Sequence, residues 1–139
     1  MYLALLPDAE SLAALKRFAP SVSDDAHLTI IHSKANPEAW ANGVAPLAVP
    51  KWSRGMTLKT NGVAIFGWKR KVLVLRLNVL NDELVALRSQ AETILRDAGL
   101  PWSAEWPFSP HITLDGPPIY GRVVGEAPTT LRFDRMEWR

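Results

Sequence analysis

His27-Leu28-Thr29-Ile30 and His111-Ile112-Thr113-Leu114 are two copies of one phrase: histidine, apolar residue, threonine, apolar residue. The chain has three histidines, and two of them stand in these copies. Successive side chains of a strand point to opposite faces, so residues two apart share one face. Read as strands, each copy turns an imidazole and a hydroxyl one way and two aliphatic side chains the other. With the two strands side by side, one cleft holds two imidazoles and two hydroxyls, a set suited to acid–base chemistry on a phosphate.

Outward from these strands, the pattern predicts an α+β fold. Residues 2–6 form a short apolar strand. Pro7 and Asp8 open a helix with Asp8 as N-cap, Leu12, Leu15 and Phe18 as its buried stripe, and Pro20 as its stop. Weak strands are expected at 44–49 and 56–59, and a better one at 63–66, entered through an Asn61-Gly62 turn. Residues 67–71 make a basic turn before the most strand-like segment, 72–77. Asn81 or Asn78 caps a second helix running to about Ala98, with Leu84, Leu87, Ala91, Ile94, Leu95 and Ala98 inward and Gly99 as the stop. An aromatic, Pro-rich loop spans 101–110. Further strands are expected at 112–114, 119–124 and 129–138, the last turning Leu131, Phe133 and Arg135 to one face. Each His-x-Thr strand follows a helix and a loop, which suggests one lobe used twice.

Composition narrows the chemistry. The 139 residues make one domain, large enough for a core without staples. There is no cysteine, so disulfides, thiol nucleophiles and thiolate metal sites are excluded. The opening MYLALLPDAE is too short an apolar stretch for a secretion signal, and no apolar run is long enough to span a bilayer, so a cytoplasmic location is expected; a monomer is expected as well. A net charge of +2 and a pI near 9.2 suit an anionic ligand but do not point to duplex DNA. His32 lies five residues after His27, and strict alternation sends it to the opposite face. A zinc site built from His27, His32 and His111 fails for the same reason.

The pair HLTI and SPHITL resembles the signature of the 2H phosphoesterase superfamily, two His-h-Thr/Ser-h motifs (h apolar) separated by about half a domain. The resemblance implies a two-lobed, pseudo-twofold α+β structure, with antiparallel sheets flanked by two main helices and one motif from each lobe facing a central cleft. It implies His27, Thr29, His111 and Thr113 as the catalytic set, with no cofactor and no metal. One neutral and one protonated imidazole can coexist near neutral pH, since the ordinary imidazole pKa is about 6.5. One would take the proton of a 2′-hydroxyl and the other protonate the leaving 5′-oxygen. The threonine hydroxyls would hold the phosphate oxygens. By analogy His27 serves the nucleophile and His111 the leaving group.

Within the superfamily the short chain, the opening Tyr2 strand, the VLVLRLN strand and the aromatic loop before SPHITL look like the small phage enzymes that cleave cyclic oligonucleotide signals of CBASS immunity. The 2′,3′-cyclic phosphodiesterases and 2′–5′ RNA ligase-like enzymes that process RNA ends share the motifs, and an idle module that sequesters nucleotides would keep the same cleft. Substrate contacts are expected from Tyr2 and Glu137 by resemblance. Phe66, Trp68 and Trp106 are expected as stacking platforms from their places near the strand ends, with Trp102 and Phe108 crowding the same loop as Trp106. Lys69-Arg70-Lys71 is a solvated turn that could steer a polyanion.

Overall fold

A computed structural model describes residues 1–35, 47–102, 108–116 and 123–139. Its elements run β1 (Tyr2–Pro7), α1 (Ala9–Phe18), β2 (Leu28–His32), β3 (Met56–Phe66), β4 (Val72–Leu77), α2 (Asp82–Asp97), β5 (His111–Asp115) and β6 (Thr130–Trp138). All strand pairs are antiparallel, and the strands close into a ring in the order β1-β2-β5-β4-β3-β6. The α+β class expected from the pattern is what the chain adopts. No helix among the described residues is long and apolar enough to cross a membrane.

The two helices begin where their caps require. Asp8 Oδ1 accepts from the Ser11 N–H at 2.8 Å, and Asn81 Oδ1 accepts from the Leu84 N–H at 2.9 Å. Asn78 instead folds back on Leu80 in the preceding turn. α2 stops at Gly99, which takes a left-handed φ of +70°. Leu15 and Phe18 of α1, and Leu84, Leu87, Ala91 and Leu95 of α2, join Leu3, Leu5, Leu28, Ile30, Leu75, Ile112, Leu114, Leu131 and Phe133 in one buried cluster. Both helices therefore pack on the apolar face of the strands. That leaves the opposite face to carry the polar residues of the two motifs. Ile94 is only half-buried and Ala98 is exposed, so the inward stripe of α2 is narrower than expected.

Bulges change the expected pattern in three places. Met56–Phe66 is one strand, and Asn61-Gly62 forms a bulge inside it instead of a turn. Pairing with β4 jumps from Thr60↔Leu77 to Val63↔Leu75, and Gly62 has φ +78°. In β6 the register with β1 shifts between Leu6↔Arg135 and Pro7↔Phe133. Leu131 and Phe133 are buried as expected, but the extra residue then turns Met136 and Trp138 toward the core and leaves Arg135 exposed. In β2, Leu3↔Ile31 is followed by Ala4↔Thr29, so Ile30 is an extra residue and His32 changes face. Residues 47–49 form no strand, and Val123 and Val124 lie outside any strand. The rest of the expected 44–49 and 119–124 strands falls outside the described residues.

The capping carboxylate of Asp8 is held below the usual carboxylate range, chiefly by the Ser11 N–H and then by Arg132, 3.6 Å away, against the opposing effect of burial. Asp8→Ala should cost about 1 kcal/mol in urea denaturation at pH 7. A depressed folded-state pKa contributes stability above the unfolded value and loses it as pH falls through the folded one. The gap between wild type and Asp8→Ala should therefore narrow steadily from about pH 4 downward. A separate measurement tests the core: Phe133→Ala, at a fully buried position, should lose about 3–5 kcal/mol.

Candidate active site

The seam between β2 and β5 brings the two motifs together. Leu28 pairs with Ile112, and both are buried. Directly opposed residues of an antiparallel pair share a face. One step either way along this register sets Thr29 across from His111 and His27 across from Thr113, all on the face opposite the core. The four line a single cavity of about 300 Å³, together with Ser21, Ser23 and Asp25 of the loop before β2, Asp115 at the end of β5 and Gly116 after it.

The two imidazoles are held in the same way. His27 Nδ1 lies 2.9 Å from the Asp25 carbonyl oxygen, and His111 Nδ1 lies 2.8 Å from the Ser109 carbonyl oxygen. A carbonyl only accepts, so Nδ1 is the donating nitrogen in each ring. Nε2 is then the nitrogen left free for chemistry, able to take a proton when neutral and to give one when charged. In both copies the acceptor is two residues upstream, which ties each ring to its own local backbone.

The flanking side chains differ between the two rings. Tyr2 stacks on His27, with ring centroids 5.0 Å apart and an interplanar angle of 17°. The same tyrosine packs against His32 at 5.4 Å. Phe66 meets His111 edge-on at 4.9 Å. Across the β4–β5 pair, Arg76 stands opposite His111 on the same face and is exposed. Among the described residues each of these two rings therefore has one aromatic neighbour, and His111 alone has a guanidinium across the next strand.

Two expected substrate contacts, Tyr2 and Phe66, thus lie against the catalytic candidates. Trp68 is 90% exposed near the start of the β3–β4 connection and packs on no ring among the described residues. Glu137 pairs across β1 with Ala4, which puts it on the face of Thr29, but its carboxylate is engaged by Arg139 at 2.7 Å. Trp106 falls outside the described residues. The exclusion of His32 from the site face is corrected: the Ile30 bulge breaks the alternation on which it rested, and Tyr2 lies between His32 and His27. His32 is exposed overall, but the tyrosine covers one side. Its pKa is lowered by burial first and then by nearby positive charge, His27 included.

Arg76 and Asp115 were not singled out from the sequence. Arg76 carried a signal there, as the lone charge inside the apolar run Val72–Leu77. Asp115 carried one too, because it stands two residues after Thr113 and plain alternation sets it on the motif face; it lines the cavity although the β4–β5 pairing shifts between Leu73↔Asp115 and Val74↔Thr113. Among the described residues no cluster of three or more His, Cys, Asp or Glu is arranged to hold a metal ion. Comparison of the chain with known protein families and with characterised proteins finds no match.

Long-range nitrogen–proton correlation NMR above about pH 8 should find both His27 and His111 as the Nδ1–H tautomer. An Nε2–H pattern in either ring would contradict the backbone anchoring described above.

Proposed function

We propose that this chain is a 2H-type phosphodiesterase that cleaves a phosphodiester beside a free 2′-hydroxyl without needing a metal, acting on cyclic di- or trinucleotide second messengers. The observation that carries the proposal is that two imidazoles, anchored through Nδ1 and with no Nε2 partner among the described residues, share one cavity with two threonine hydroxyls. The strand order adds support. It reads the same way outward from the β2–β5 seam, with β1 and β6 on one side and β4 and β3 on the other. Each motif closes a β-α-β unit, β1-α1-β2 or β4-α2-β5. That arrangement fits the pseudo-twofold, two-lobed plan of the superfamily.

In the proposed reaction, neutral His27 takes the proton of the 2′-hydroxyl through Nε2. The 2′-oxygen attacks phosphorus in line with the departing 5′-oxygen. Protonated His111 donates its Nε2 proton to that oxygen. The ring opens to a linear product ending in a 2′,3′-cyclic phosphate and a 5′-hydroxyl, so atoms and charge balance. The two imidazoles finish in exchanged protonation states, ready for water to open the cyclic phosphate by the reverse roles. Thr29 and Thr113 donate to the non-bridging oxygens, where charge gathers in the transition state. Arg76, beside His111, adds positive charge near the leaving-group side. Destroying a cyclic nucleotide signal in this way would silence the CBASS-type immune response that depends on it.

The deciding assay presents the protein with cyclic dinucleotides, cyclic trinucleotides, 2′,3′-cyclic mononucleotides and 2′–5′-linked dinucleotides in the presence of EDTA, and resolves the products. Turnover of the cyclic oligonucleotides is expected. Turnover of 2′,3′-cyclic mononucleotides alone would instead make the protein an RNA-end processing enzyme, and tight binding without turnover would make it a sequestering module. His27→Ala and His111→Ala should each lower kcat by at least about 10²–10⁴-fold with little change in Tm. Thr29→Val and Thr113→Val should each cost about 10²–10³-fold. The rate should fall on both sides of an optimum near neutrality, because one imidazole must be neutral and the other protonated. A monotonic rise with pH would point to a single base.

A further inference from the structure

The two halves of the site are joined by little main chain. Among the described residues, Leu28↔Ile112 is the one pair between β2 and β5. Carrying that register two residues further sets Ile30 opposite Pro110, which has no N–H to give. On the other side of β2, Ile30 is the bulged residue and has no counterpart in β1. Neither neighbouring strand offers the Ile30 carbonyl a regular ladder partner, and a buried carbonyl without a donor is costly.

Arg88 supplies the donor from α2. Its Nη1 donates to the Ile30 carbonyl oxygen at 2.8 Å. The guanidinium carbon Cζ lies over the Phe108 ring, 4.7 Å from its centroid. Glu92, one turn along the helix, approaches Nε at 3.6 Å. The side chain is only 19% exposed. Its two main contacts sit beside the two motifs. Ile30 directly follows Thr29. Phe108 directly precedes Ser109, whose carbonyl anchors the His111 ring. A helix of the β4-α2-β5 unit thus grips the motif strand of the β1-α1-β2 unit and the entry to its own motif strand with one guanidinium.

We propose that Arg88 is a positioning residue. It fixes the separation of the His27–Thr29 pair from the His111–Thr113 pair by pinning the Ile30 bulge and Phe108 to the same planar group. Arginine suits the task because it can donate in its plane while stacking through its face; lysine offers a point charge without that plane. The role rests on the phosphodiesterase reading for its kinetic consequence but not for its geometric one.

The test compares wild type with Arg88→Met, Arg88→Lys and Phe108→Leu, with kinetics on a cyclic dinucleotide and ring NMR signals of isotopically labelled histidines. Circular dichroism corrects each rate to folded protein. Arg88→Met should lower kcat by about 10–100-fold with KM within about threefold, since small misplacement of reacting groups acts on the chemical step. Arg88→Lys should recover little of that loss, and Phe108→Leu should lose part of it. The ring signals of both His27 and His111 should move in Arg88→Met. A purely structural arginine would lower Tm while leaving kcat per folded molecule within twofold of wild type and the ring signals in place, and that result overturns the proposal. Should Arg88→Met not fold, Arg88→Lys and Phe108→Leu decide by the same criteria. If wild type turns over no nucleotide, the phosphodiesterase reading falls, and the histidine signals alone decide whether Arg88 positions the two motifs.

Discussion

The register of β2 against β5 is the constraint on which the site depends. Side chains of a strand alternate with period two, so a slip of one residue moves a whole set to the other face. With Leu28 opposite Ile112, both histidines and both threonines meet over one cavity. With either strand shifted by one, one imidazole would be buried among leucines and the other left alone. The hydrophobic partners protect that register. Leu28, Ile30, Ile112 and Leu114 are all buried in the cluster that includes both helices, and a slip would expose one strand's share of it. Burial of several aliphatic side chains, each about 1.5–3 kcal/mol, outweighs the few hydrogen bonds that the seam itself supplies.

Bulges then shape the face that the register selects. They occur where β2 meets β1, where β3 and β5 each meet β4, and where β6 meets β1. A bulge bends its strand and increases local twist, which helps six strands close into a ring. It also re-aims whatever follows. His32 joins His27 across Tyr2 after the Ile30 bulge. Ala4 and Val74 stand beside Thr29 and Thr113 in the pairing and are fully buried.

The two imidazoles are equivalent in their anchoring and unequal in their surroundings. Each donates Nδ1 to the carbonyl two residues upstream, so each is oriented first by its own local backbone. Around them, Tyr2 and His32 flank one ring, and Phe66 and Arg76 flank the other. An enzyme that uses one acid and one base needs that inequality. It comes from Tyr2 of β1 and His32 of β2 on one side and from Phe66 of β3 and Arg76 of β4 on the other.

Much of this molecule follows from the chain alone. The helix caps at Asp8 and Asn81, the stop at Gly99, the leucine stripes and the strands around both motifs follow from local chemistry within a few residues. The four polar motif residues are legible for the same reason, since parity over three residues needs no knowledge of the fold. What lay beyond the sequence is whatever depends on contacts between distant segments. Alternation could not place His32 or Arg135, because a bulge is a response to a partner strand's register and leaves no mark of its own in a run such as Thr29-Ile30-Ile31-His32. Asn61-Gly62 has the chemistry of a turn and became a bulge because β4 pairs with both sides of it. The contact of Arg88 with Ile30 and Phe108 joins segments 58 and 20 residues away. The sequence by itself determined which side chains could share a face; only the tertiary structure, by packing leucines from both units into one core, decided that the two faces would meet.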